Sequence, residues 1–254
     1  MYLRSINLWD SLYFITEEVQ ELIDKGEHYM NSKKNYILIS ILIFSLLVCL
    51  IDAVIKPNYF VKIPIKIVFF LIFPILFFIF NKNDTSEFKK LFVFKKKGFL
   101  TSIGLGIAVF VVIMGGYLLT KDLIDYSNVT KSLTESMGIT ADNFIYVAFY
   151  IAIINSFLEE FFFRGYGFIT LKKYSSRKFA YLFSSGVFAV YHIGMLIGMF
   201  NIGALLLLLS GLVAGGCIFN YLNEKNDNIY SSWFVHMFAN FAINTVGLIL
   251  FGIL

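Results

Sequence analysis

Seven runs of about twenty mostly apolar residues, each long enough to cross a bilayer as a helix, follow one another along this chain: 36–55, 60–80, 98–119, 144–170, 180–200, 202–222 and 231–254. In hydrocarbon every backbone polar group must be satisfied within the structure, and runs of this length do so as helices. The expected fold is therefore all-α, a polytopic helical membrane protein with about seven transmembrane helices. The range is six to eight, because the overlong run 144–170 and the nearly continuous stretch 178–222 leave room for a tilted or re-entrant segment. Composition agrees: of 254 residues 58% are hydrophobic, 15% are charged and 30 are Phe, with a mean hydropathy of +0.76. Those values exclude a soluble disulfide scaffold, a nucleic-acid-binding domain and a disordered regulator. Cys49 and Cys217 lie within apolar runs and show no CxxC spacing, so they read as small hydrophobes.

Residues 1–35 precede the first run. Leu12, Ile15, Val19 and Leu22 recur at helical spacing beside Glu17, Glu18, Glu21 and Asp24, which predicts a short amphipathic helix. Its acidic face is repelled by anionic lipid, so the segment is expected to form a solvated cytosolic cap. The first apolar run starts too late for a signal peptide. Fifteen Lys and Arg residues fall in the N-terminal segment and alternate connections, against four (Lys56, Lys62, Lys121 and Lys131) on the other side. That bias predicts a cytosolic N-terminus. Three parts result: 1–35, the cytosolic segment; 36–143, N-terminal transmembrane helices; and 144–254, the part that carries the chemistry.

A charge near the bilayer centre costs about 2.5–3.5 kcal/mol on insertion scales, so intramembrane polar residues are where function is sought first. Asp52 and Lys66 lie near span ends, close enough to an interface to snorkel, and are expected to be structural. In the fourth run, Glu160 and Arg164 are i and i+4 and can pair, whereas Glu159, one turn from Asn155, is rotated about 100° away and is left free for proton chemistry. His192 follows Phe188 by one turn in the fifth run; His236, Asn240 and Asn244 form a stripe in the last. Such a stripe alone is also what helix-packing hydrogen bonds require. Counted from the span ends on the expected cytosolic side, Glu159, His192 and His236 can meet. Straight parallel α-helices would leave their depths about 10 Å apart, an offset for tilt to absorb.

The elements EExxxR at Glu159 to Arg164, FxxxH at Phe188 to His192 and HxxxN at His236 to Asn240 occur in the order and approximate separation of one family. The sequence resembles the CAAX protease and bacteriocin-processing family, also called Abi, intramembrane endopeptidases related to the type II CAAX prenyl endopeptidase. The resemblance covers roughly residues 144–250, and residues 1–143 carry no matching signature. It implies that Glu159 with His192 activates a water for attack on a peptide carbonyl, that His236 and Asn240 stabilise the oxyanion, and that Glu160 and Arg164 support the site. Phe188 would pack under His192 as a supporting residue, with Asn155 beside Glu159. The chemistry asks for the same set: a buried carboxylate as base, and donors aimed at the developing negative oxygen.

Cofactor use stays open between two readings. Glu159, His192 and His236 are also a reasonable ligand set for a divalent, zinc-like ion, but HExxH is absent, and metal-independent chemistry is slightly favoured. The expected substrate is a hydrophobic or lipidated peptide reached from the membrane lipid, with no nucleic-acid partner. The composition, rich in Lys, Asn, Ile and Phe, fits a bacterial plasma membrane, where maturation of a secreted peptide suits better than a prenylated protein. Two other classes are carried beside this one: a non-proteolytic immunity or regulatory protein of the same fold, and a proton-coupled transporter, for which no internal repeat is present.

Overall fold

A computed structural model describes residues 8–254, with side chains from Val19 onward except that of Lys97. Arg4 and the side chains of Leu12, Ile15, Glu17 and Glu18 therefore lie outside the described residues. These residues form helices and no strands, and seven helices are long and apolar enough to span a membrane.

In chain order the helices are α1 (Leu8–Leu50, extended by a π-helical turn Ile51–Ile55), α2 (Tyr59–Phe80), the short α3 (Thr85–Leu91), α4 (Lys96–Thr120), α5 (Ser127–Met137), α6 (Ala141–Thr170), α7 (Arg177–Leu196), α8 (Ile202–Asn226) and α9 (Tyr230–Leu250). Local chemistry sets their starts. Asn58 Oδ1 accepts from the Phe60 amide at α2 and Asn201 Oδ1 from the Ala204 amide at α8, both at 2.9 Å. Ser176 does the same for α7 at 3.2 Å, and Thr140 with Asn143 forms a capping box at α6. Each satisfies amides that the first helical turn leaves unpaired.

The spans begin and end within a few residues of the apolar runs, with one difference at the N-terminus. The segment 8–35 is no separate short helix but runs unbroken into the first span. Nothing between Asp24 and Tyr36 interrupts it: the stretch has no proline, and its one glycine, Gly26, is a weak breaker. At 1.5 Å per residue α1 is about 65 Å long, roughly twice the hydrocarbon thickness. Lys62, read from sequence as part of a connection, lies inside α2 and is buried.

Lipid is as apolar as a leucine side chain, so apolar burial alone does not choose helix neighbours in a membrane; close packing and polar contacts do. Aromatic packing is dense around α6. Phe70 of α2 stacks on Phe162 with centroids 4.3 Å apart, and Phe163 meets both Phe188 and Tyr191 of α7. Polar clamps join the same helices. Ser184 of α7 donates to the Phe163 carbonyl at 2.8 Å, and buried Asp84, between α2 and α3, is held by Lys33 of α1 (2.9 Å), Lys173 (2.8 Å) and Tyr174 (2.6 Å). The bundle thus places α6 in the middle, with α2, α7 and α9 against it.

Candidate active site

α6 departs from regular α-helix at Tyr150–Asn155 and again at Glu160–Thr170, where it is π-helical. A π turn shifts the backbone bonds from i→i+4 to i→i+5 and is frequent at functional sites. It is wider and shorter per residue, which reduces the depth offset expected of straight α-helices. Glu159 stands just before the second π segment and Glu160 opens it, both buried.

Glu159 and Glu160 face different partners. Glu159 Oε1 accepts from Asn155 Nδ2 at 2.8 Å and from the Tyr191 hydroxyl at 3.0 Å, with Lys66 Nζ at 3.5 Å. Its Oε2 faces His192 Nε2 at 3.9 Å and His236 Nε2 at 3.8 Å. Glu160 Oε1 pairs with Arg164 Nη1 at 3.2 Å and accepts from His236 Nδ1 at 2.9 Å, while its Oε2 accepts from Ser232 Oγ. The i,i+4 pairing of Glu160 with Arg164 and the separate outlook of Glu159 are those the spacing predicts. Arg164, fully buried, also lies over the Phe188 ring with Cζ 3.9 Å from its centroid and 5.0 Å from that of Phe219, cation–π contacts that spread its charge over apolar neighbours.

The histidines are oriented through their other nitrogen. His192 Nδ1 lies 2.7 Å from the Phe188 carbonyl, which can only accept, so Nδ1 carries the hydrogen and Nε2 presents a lone pair to Glu159. The Phe188 ring meets the His192 ring edge-on at 4.7 Å. His236 likewise donates through Nδ1, to Glu160, and stacks on Phe219 at 5.2 Å. One turn on, Asn240 donates to the Ile151 carbonyl at 3.1 Å and Asn244 to that of Ala148 at 2.9 Å. The stripe therefore also stitches α9 to the first irregular stretch of α6, and the Asn240 amide retains a second hydrogen.

Sequence reasoning misplaced one residue of this cluster and overlooked two. Lys66 does not snorkel; its side chain is 12% exposed and turned inward to Asn155 Oδ1 at 2.9 Å. Asp52 is likewise buried and paired, with Lys62 at 2.8 Å. In both cases a buried carboxylate or amide on a neighbouring helix offers the ammonium a partner, and pairing replaces escape to water. Tyr191 and Ser232 were not singled out. Ser232 continues the four-residue stripe of His236, Asn240 and Asn244 backward by one turn, which is the signal that could have found it.

A metal fits this arrangement poorly. Among the described residues no three His, Cys, Asp or Glu side chains form a group that could hold a metal ion. The Glu159 carboxylate already faces an ammonium, a like charge for any incoming cation.

This is a multi-pass helical membrane protein whose buried centre is a pair of adjacent glutamates met by two histidines from separate helices. Residues 141–242 match the family model described as type II CAAX prenyl endopeptidase Rce1-like, and that part of the chain is similar to the CAAX protease family, a family of proteases. No curated protein and no solved structure matches the chain.

Proposed function

We propose that the chain is an intramembrane endopeptidase with a glutamate-activated water. The observation that carries this reading is the facing of Glu159 Oε2 by Nε2 of both His192 and His236 at 3.8–3.9 Å. That is too far for a direct hydrogen bond, and near enough for one water oxygen to reach two of the three atoms. A water there donates one hydrogen to Glu159 Oε2 and the other to His192 Nε2. Its oxygen attacks the peptide carbonyl carbon as Glu159 takes the proton. The oxyanion is met by the free amide hydrogen of Asn240 and by His236, which offers Nε2–H when protonated on both nitrogens. Glu159 then passes its proton to the peptide nitrogen as the C–N bond breaks, leaving a carboxylic acid and an amine.

The substrate is proposed to be a hydrophobic or lipidated peptide that enters from the membrane. The N-terminus is placed in the cytosol, on the strength of the basic-residue bias, and the setting is a bacterial plasma membrane. The reaction is proposed to need no metal.

Purified protein assayed against quenched-fluorescence hydrophobic and lipidated peptides tests these points. Cleavage that persists with chelator and disappears in Glu159→Gln is the expected result. Loss with chelator, restored by zinc, would replace the metal-independent mechanism. Full biological function in Glu159→Gln would reject the protease altogether.

A further inference from the structure

The Glu159 carboxylate is completed by a residue far outside the matched segment. Lys66 of α2 lies 2.9 Å from Asn155 Oδ1 and 3.5 Å from Glu159 Oε1, with its ammonium 5.3 Å from the Tyr191 ring centre. Glu159 is faced by Asn155 from its own helix, by Tyr191 and His192 from α7, by His236 from α9 and by Lys66 from α2. Among these partners Lys66 alone brings an ammonium, and the neighbouring Arg164 is turned to Glu160. A carboxylate removed from water and left without countercharge is strongly disfavoured.

The contact also settles an orientation. An asparagine amide can turn over, exchanging its oxygen and nitrogen. With Oδ1 held by the Lys66 ammonium, Asn155 must offer Nδ2 to Glu159; turned over, it would set oxygen against oxygen. Oε1 then has three donors around it, Asn155, Tyr191 and Lys66, and Oε2 is the oxygen left facing the histidines.

We propose that Lys66 is a positioning residue of the active site, fixing Asn155 and Glu159 through one ammonium that bridges them from α2. Its effect on catalysis rests on the endopeptidase reading; its effect on Glu159 does not. The inference also gives the N-terminal helices a part in the chemistry, since without α2 the site lacks its countercharge.

The test compares full-length wild type, Lys66→Met and Lys66→Arg in detergent, with thermal unfolding as the check on folding. With a quenched-fluorescence peptide ending in a farnesylated cysteine and three residues, or with whichever library peptide the wild type cleaves, Lys66→Met is expected to lower kcat by about 10²-fold, the scale of a small misplacement. KM should stay within about twofold, and Lys66→Arg should recover much of kcat. Infrared difference spectra against the matching Glu159→Gln proteins isolate the Glu159 carboxyl and need no substrate. They should show an ionised carboxylate in wild type and Lys66→Arg, and a protonated carboxyl in Lys66→Met. A folded Lys66→Met with unchanged kcat and an unchanged carboxylate band overturns the proposal. If Lys66→Met does not fold, Lys66→Gln takes its place with the same expectations. If the wild type cleaves nothing, the endopeptidase reading fails, and the infrared comparison still decides the role of Lys66.

Discussion

His236 Nδ1 lies 2.9 Å from Glu160 Oε1, and this one bond decides what the opposite edge of the ring offers Glu159. As long as Glu160 is an acceptor, the neutral ring keeps its hydrogen on Nδ1. Glu160→Gln keeps the shape but removes the negative charge that faces the ring when it donates through both nitrogens, the form in which His236 meets the oxyanion. The expected outcome is a fall in kcat on the order of 10²-fold or more, together with destabilisation of about 3 kcal/mol because Arg164 loses its buried countercharge. Steady-state kinetics and thermal unfolding in detergent measure the two separately; a stable, fully active Glu160→Gln would contradict the assignment.

Asn240 and Asn244 make the same kind of bond to α6, but the proposed mechanism uses Asn240 alone. Replacing either by Ala should cost a similar small amount of stability, about 0.6–1.7 kcal/mol for an interhelical hydrogen bond in a membrane protein. Only Asn240→Ala should also lose cleavage, by about 10²–10³-fold for a lost oxyanion donor. Equal activity losses in the two variants would mean that the stripe serves packing alone.

Asp84 makes a prediction about acid. Burial pushes its carboxyl up, but the bonds from Lys173, Tyr174 and Lys33 outweigh burial and hold it below the usual carboxylate range. A group depressed in this way contributes stability that is complete above its unfolded value, about 3.9, and is lost as pH falls through its folded value. Wild type should therefore start about 3 kcal/mol more stable than Asp84→Asn near neutrality and lose more on acidification, so that the two Tm curves converge. Parallel curves from neutral to acid pH would show that the carboxylate contributes nothing through its charge.

Gly194 of α7 sits against the backbone of Cys49 of α1. A methyl group there would come within 2.8 Å of the Cys49 Cα and closer still to its carbonyl oxygen. Backbone yields less readily than a side chain, so Gly194→Ala should cost about 1–3 kcal/mol as overpacking. Because His192 is two residues away, kcat should fall as well. Thermal unfolding and kinetics check this; a variant as stable and active as wild type would show that α7 can shift freely.

The spans were legible because twenty-residue apolar runs admit few alternatives in lipid, and the pairing of Glu160 with Arg164 because i,i+4 spacing fixes it locally. The facing of Glu159, His192 and His236 could be expected from their order along the chain and their span depths. Lys66 could not, since its partner Glu159 lies 93 residues away and a single lysine near a span end reads the same whether it turns to water or inward. The π segments were equally hidden: Tyr150–Asn155 and Glu160–Thr170 are as apolar as their neighbours, and no residue type marks a widened turn. Nor does composition show where solvated helix becomes buried helix when, as in α1, no proline separates them.

The widened backbone of α6 makes its residue count matter as much as its side chains. Each π segment accommodates more residues per turn than the regular helix on either side. Losing a single residue from 160–170 would let that stretch tighten into ordinary helix and rotate whatever follows it by about 100°. A loss between Glu160 and Arg164 would turn Arg164 away from Glu160 and from the Phe188 and Phe219 rings it now lies over. A deletion scan through α6 should therefore be more damaging than a scan of conservative substitutions over the same positions, and chain length across this helix becomes part of what specifies the site.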